Sequence, residues 1–161
     1  MAGLLTIREN VYPHLASRPG SRVTLRHPKF ERERTRAALA QYDIRPRDPE
    51  RVVSTLSGGN QQKTILARWL EAGSHVLILE EPTFGVDIGA KVAIYALIRK
   101  HTTDGDAIVL VSSDFEEVAG LAHRAIVFRG GKVVGEISRE RLTISHLVEL
   151  ATGAVTQEVE K

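Results

Sequence analysis

The sequence predicts an α/β fold, on three observations. Val76–Leu79 and Ala107–Val111 are short continuous apolar runs of strand length. Residues 89–101 between them put Val92, Tyr95 and Ile98 on one helical face, and strand, helix, strand implies a parallel crossover. Upstream, Ser57-Gly58-Gly59 opens a second helical pattern carried by Ile65, Leu66, Trp69 and Leu70. With 161 residues, 42% of them hydrophobic, the chain has enough apolar material for one core.

The elements are expected in the following order. Residues 1–29 show no sustained period and are punctuated by Pro13, Pro19, Gly20 and Pro28, so they read as short helix and loop. Glu31–Tyr42 is a helix stopped before Pro46. Asn60–Ala72 is a helix with Ile65, Trp69 and Ala72 on one face and Gly73 as its stop. Val76–Leu79, apolar throughout, is expected to be a parallel strand buried on both faces. After the helix at 89–101 and a second buried strand at Ala107–Val111, Ser113 and Glu116 have capping-box spacing for a short helix to Ala119. Ala125–Phe128 and Lys132–Ile137 flank Gly130-Gly131 as a hairpin, and Thr143–Ala151 is a last helix ending at Gly153. Residues 156–161 read as a frayed tail.

Two places carry chemistry. Ser57, Gly58 and Gly59 put a hydroxyl and unshielded backbone N–H groups at a helix N-terminus, where an anion is favoured and phosphate is the natural one. A glycine turn with Ser57 as an ordinary N-cap is the plainer reading of those three residues alone. Glu80 and Glu81 close the first apolar run; on their own they are as readily a solvated strand end as a pair of working carboxylates. Asp87 has the position of an N-cap for the helix beginning near Gly89. The six histidines are dispersed without metal-ligand spacing and read as surface or packing residues. Gly130–Gly135 matches a phosphate-loop spacing but runs into Glu136-Ile137 inside the hairpin, so it is rejected.

Leu56-Ser-Gly-Gly-Asn-Gln-Gln-Lys63 resembles the signature motif of ATP-binding cassette (ABC) proteins, and its Asn-Gln-Gln-Lys ending is similar to the second cassette of two-cassette bacterial sugar-import ATPases of the ribose, galactose and xylose type. Thr6–Asn10, Glu80-Glu81-Pro82-Thr83, Gly85–Lys91 and Val111-Ser112-Ser113-Asp114 fit the same family in order. The resemblance implies a P-loop NTPase fragment: a helical signature subdomain over 1–72, a partial parallel-sheet nucleotide-binding core over 73–155, and a tail over 156–161. It also implies that the Walker A loop, the Q-loop and the adenine-stacking aromatic precede Met1, leaving the isolated chain inactive.

Site roles follow from the resemblance, position by position. Glu80 stands where the family has the Walker B Asp that holds Mg²⁺ through water, and the extra methylene is a departure expected to weaken metal positioning. Glu81 stands at the carboxylate that polarises the attacking water. Ser57, Gly58, Gly59 and Gln61 fall in the signature that meets ATP, and Asp87 in the D-loop between cassettes. Ser113 takes the place of the switch histidine near the γ-phosphate. An intact signature beside an altered Walker B acid and switch residue suggests that this half completes the ATP site of its partner cassette while its own site is weak or degenerate.

The implied cofactors are ATP and Mg²⁺. The implied partners are a second cassette in a head-to-tail dimer, a membrane permease and, indirectly, a sugar-binding protein. The apolar runs are far below the ~20 residues that span a bilayer, so a cytoplasmic chain is expected, and the resemblance implies that it sits, through the permease, peripherally on the inner face of the plasma membrane. Lack of cysteine excludes disulfides and cysteine nucleophiles. Net charge is only +2 with the basic excess in residues 1–51, but Glu31 and Glu33 interrupt the arginines there, which favours a solvated helix face over nucleic acid. An inactive fragment or interaction module, and a cassette protein of nucleic-acid metabolism or translation, are the alternatives.

Overall fold

A computed structural model of the chain describes residues 2–12 and 28–153; the expected tail at 156–161 lies outside them. In chain order the elements are α1 (Ile7–Val11), α2 (Pro28–Gln41), a 3-10 turn (Val53–Thr55), α3 (Gly58–Glu71), β1 (Val76–Glu80), α4 (Ile88–Thr103), β2 (Ala107–Val111), α5 (Phe115–Leu121), β3 (Arg124–Arg129), β4 (Lys132–Ser138), a 3-10 turn (Arg139–Arg141) and α6 (Ile144–Thr152). Contacts group them into two compact units: residues up to Leu77 with Pro82–Val109, and Ile78–Glu81 with the chain from Leu110 onward.

In the first unit, Thr6 caps α1 through a reciprocal box. The Glu9 N–H donates to Thr6 Oγ1 at 3.2 Å and the Thr6 N–H to Glu9 Oε2 at 2.8 Å. The start of the chain runs along residues 49–54, with Ile7 N–H on the Arg51 carbonyl at 2.9 Å and Val53 N–H on the Leu5 carbonyl at 3.0 Å. This fixes the approach to α3. Thr35, Ala38, Leu39 and Tyr42 line the buried side of α2 at helical spacing, and Arg32, Arg34 and Arg36 are exposed. Pro28 begins α2 earlier than the periodicity suggests, since its missing N–H costs nothing at a first helical position. The core joins Ile7, Val11, Leu39, Tyr42, Ile44, Val53, Leu56 and Ala67. Around its rim Arg8 bridges Glu31 and Glu50, both at 2.9 Å, and Arg32 reaches Glu50 at 2.8 Å.

β1 and β2 pair in a two-stranded sheet. The bonds from Ala107 N–H to the His75 carbonyl and from Glu81 N–H to the Val111 carbonyl, both 2.8 Å, advance together along the two strands, which makes the pair parallel as expected. Burial on both faces is corrected. Leu77 and Leu79 are buried, but Val76 and Ile78 are 63% and 73% exposed, so β1 has one covered and one open face, and β2, expected to be buried, leaves Val109 and Val111 half exposed.

The second unit is built on the β3–β4 hairpin, antiparallel from Arg124 opposite Ser138 to Arg129 opposite Lys132, with an irregularity after Val127. Gly130 and Gly131, at φ 56° and 75°, form its tight turn and no phosphate loop. Ala125, Val127, Ile137, Leu142 and Leu147 make the core, with α6 packed on the hairpin and on α5. The α5 cap is corrected by one residue. Asp114, not Ser113, accepts from the Glu116 and Glu117 N–H groups at 2.9 and 3.1 Å, because the helix begins at Phe115 and its backbone geometry makes residue 114 the N-cap. No helix among the described residues is long and apolar enough to cross a membrane.

Candidate functional site

The expected site residues fall into two groups, one in each unit. In the first unit Leu56 is buried and anchors the turn, and Ser57 sits at the N-cap of α3 with extended backbone (φ −62°, ψ 154°). Its hydroxyl makes no cap bond. It accepts from Asn60 Nδ2 at 2.9 Å, and Asn60 Oδ1 in turn accepts from the Arg45 N–H at 2.9 Å. Gln61 turns its amide back onto the Leu56 carbonyl at 2.9 Å. The first turn of α3 is therefore held in shape by side chains that leave its N-terminal N–H groups uncapped by Ser57. That end carries the positive pole of a helix of 14 residues.

Gly59 is at this end for a steric reason. A Cβ there would lie 2.3 Å from the Ala90 Cβ, so α3 and α4 approach closely only because position 59 has no side chain. Asp87 is the N-cap of α4 and accepts from the Ala90 N–H at 2.9 Å. Its carboxylate oxygen Oδ2 also stands 3.8 Å from the Gly59 Cβ position. Ser57, Gly58, Gly59, Gln61 and Asp87 thus gather around two adjoining helix N-termini.

In the second unit the parity of β1 puts Glu80 on its exposed side. Glu81 then turns into the left-handed region (φ 43°), where non-glycine residues are uncommon. Its N–H donates to the Val111 carbonyl at 2.8 Å and its Oε1 accepts from the Ser113 N–H at 2.7 Å. Ser113 and Glu81 are in direct contact, through the main chain of one and the carboxylate of the other. The two adjacent acids consequently diverge.

The residues fit a polyphosphate with Mg²⁺. An α3 N-terminus that its own N-cap leaves open suits phosphate oxygens, and a single exposed carboxylate such as Glu80 suits a cation that keeps most of its waters. Among the described residues no group of three or more His, Asp or Glu side chains gathers to hold a metal by protein ligands alone.

Two arrangements were invisible in the sequence. Lys63, within the signature stretch, is buried and donates to the Asp43 carbonyl oxygen beyond the end of α2; burial pushes its ammonium below the ordinary range, against the pull of Asp43. His75 and His101 both reach Asp106, at 3.3 and 2.9 Å, and His101 stacks on Tyr42. The hydrogen bond from His101 is the main cause that keeps the Asp106 carboxyl below its usual range. No spacing signal joins residues 75, 101 and 106, which meet because α4 returns the chain to the start of β2. His101 is a packing residue and His75 a surface one, and Asp106 joins them.

Comparison with known proteins gives a consistent answer. The model of the family described as ABC transporter matches residues 2–84. An import ATP-binding protein of Agrobacterium fabrum, named for ribose, galactose and methyl galactoside, is 43% identical over 153 residues, covering 92% of this chain and 30% of that protein. The arabinose import ATP-binding protein of Pseudomonas savastanoi is 42% identical over 123 residues, covering 76% of this chain and 24% of its own length. This chain therefore spans less than a third of the curated relatives it matches. Among solved structures, the dimeric structure of a bacterial ABC transporter cassette superposes with a TM-score of 0.71 at 26% identity, over 86% of this chain and 59% of that one. The α/β architecture is that of a partial ABC cassette core.

Proposed function

The chain belongs to the ABC transporter family, and from that premise we propose that it acts as part of the ATP-binding component of a monosaccharide importer. The proposal assigns residues 1–72 to the helical signature subdomain and 73–155 to the nucleotide-binding core, and assigns ATP hydrolysis to the longer protein or complex. A bound ATP with Mg²⁺ supplies the phosphoanhydride to be split. Ser57, Gly58 and Gly59 present donors and the α3 dipole to the γ-phosphate held by a second cassette packed head to tail, with Gln61 bracing the loop and Asp87 at the interface. Glu80 is proposed to hold Mg²⁺ through water and Glu81 to polarise the attacking water, with Ser113 beside it. A permease partner would keep the protein at the inner face of the plasma membrane and, with a sugar-binding protein, would choose the sugar.

The observation that carries this reading is the α3 N-terminus, shaped by Asn60 and Gln61 yet uncapped by Ser57. Thr6, Asp87, Asp114 and Thr143 each close the start of their own helix with a side-chain bond, which Ser57 does not. The substitution of Asp by Glu at position 80 supports a division of labour in which the signature acts in trans and the chain's own site is the weaker one. The test is a chimera in which this chain replaces the matching segment of the Agrobacterium fabrum relative, reconstituted with its permease. Ser57→Ala is expected to reduce total ATP hydrolysis by about tenfold or more, and Glu81→Gln by much less. Equal losses would refute the division of labour.

A further inference from the structure

We propose that Ser113 is a positioning residue for Glu81, and that it acts through its main-chain N–H instead of its side chain. This rests on the reading of Glu81 as the group that polarises water.

The loop between β2 and α5 is organised to aim that N–H. The Ser112 hydroxyl accepts from the Asp114 N–H at 3.0 Å, and Asp114 spends its Oδ1 on the N–H groups of Glu116 and Glu117 at 2.9 and 3.1 Å. The Ser113 N–H, between these locally bonded neighbours, is the one directed at Glu81, at 2.7 Å. That is the length of a charge-assisted bond. Glu81 is fixed at its main chain as well, since its own N–H is tied to the Val111 carbonyl and its φ of 43° turns the side chain out of the alternation of β1. Backbone strain at one residue, held at its N–H by Val111 and at its carboxylate by Ser113, sets the direction of the side chain.

The consequence is specific. One carboxylate oxygen, Oε1, is engaged by the N–H, which leaves Oε2 as the acceptor for a proton of the water. Freezing the carboxylate in this way removes rotamer freedom before the reaction begins. A main-chain donor is present whatever side chain stands at position 113, so the loss of the switch histidine expected there leaves this contact intact. The weak half-site retains an oriented carboxylate.

Two experiments test this. In the 161-residue chain, amide hydrogen exchange at Ser113 is read by NMR. Glu81→Ala is expected to speed exchange at position 113 by about tenfold or more and to leave the Glu116 and Glu117 amides unchanged, while Ser113→Ala keeps its protection. Equal exchange at 113 in wild type and Glu81→Ala overturns the contact. In the chimera, the other cassette's water-polarising carboxylate is replaced by its amide, so that the remaining hydrolysis reports on Glu81. Ser113→Pro, which deletes the N–H, is expected to lower kcat about ten- to hundredfold with KM for ATP within about twofold. An ester in place of the 112–113 amide, which removes the same hydrogen without the proline ring, gives the same split. A rise in KM at constant kcat overturns the proposal in favour of a phosphate contact. If Glu81→Gln leaves the remaining hydrolysis untouched, the reading of Glu81 itself fails; if Glu81→Gln abolishes it and the ester does not alter kcat, only the positioning role fails.

Discussion

Gly59→Ala tests the claim that the two helix N-termini of the signature region meet at a glycine. The added Cβ would stand 2.3 Å from the Ala90 Cβ, where carbon atoms in good contact are about 3.5–4.0 Å apart, so the helices must separate by about 1.2 Å or more locally. Overpacking of this kind costs about 1–3 kcal/mol. Replacing glycine by alanine in a helix returns up to about 1 kcal/mol of propensity, which would mask part of the loss in a single variant. A double-mutant cycle with Ala90→Gly removes that term. With the Ala90 methyl gone, the nearest atoms to the new Cβ are the Ala90 Cα at 3.7 Å and Asp87 Oδ2 at 3.8 Å, both ordinary contacts. Denaturant unfolding followed by circular dichroism on the wild type, both single variants and the double variant should give a favourable coupling energy of about 1–3 kcal/mol. Additivity within about 0.5 kcal/mol would refute the close approach of α3 and α4.

Two further predictions concern charges and caps. Hydrogen bonds from Arg8 first and Arg32 second hold the Glu50 carboxyl down at about 2 against an ordinary 4.5. Its contribution to stability is therefore fully present above the ordinary value and is lost as the pH falls from 4.5 through about 2. Its side chain is 38% exposed, so solvent screening reduces the effect, and the measurement is the steepness of Tm against pH below 5. Glu50→Gln should flatten that dependence, and parallel curves would count against it. Asp114→Ala strips the cap from two N–H groups of α5 and should cost about 1 kcal/mol, with faster amide exchange at Glu116 and Glu117. Unchanged exchange at both positions would show that the cap carries nothing.

The elements most legible in the sequence were those with a strong local cause. Gly73 and Gly153 end α3 and α6 at positive φ, Gly130-Gly131 turn the hairpin, and the Ser57-Gly58-Gly59 step opens α3. β1 was found but its surroundings were misjudged, because an all-apolar run states only that both faces tolerate burial; which neighbours arrive is a tertiary fact. The α5 cap was placed one residue early because Ser113 and Asp114 are both capping residues, and only backbone geometry chooses between them. At the site, the motifs point to residues that the structure gathers at the N-termini of α3 and α4. The bond between the Ser113 N–H and Glu81 was not legible in them, since a backbone hydrogen has no letter of its own.

Lys63 gives the signature helix a mechanical property. Its ammonium is seated beneath the chain reversal that follows α2, on the carbonyl of Asp43, while its backbone lies in the second turn of α3. Sliding α3 along the end of α2 would unseat a buried cation from its acceptor, a penalty far above thermal energy unless water replaces the bond. The two helices are thereby riveted at one point. Ser57 lies six residues from that rivet, about 9 Å along the α3 axis. The N-terminus of α3 therefore cannot slide past the end of α2 without breaking that bond.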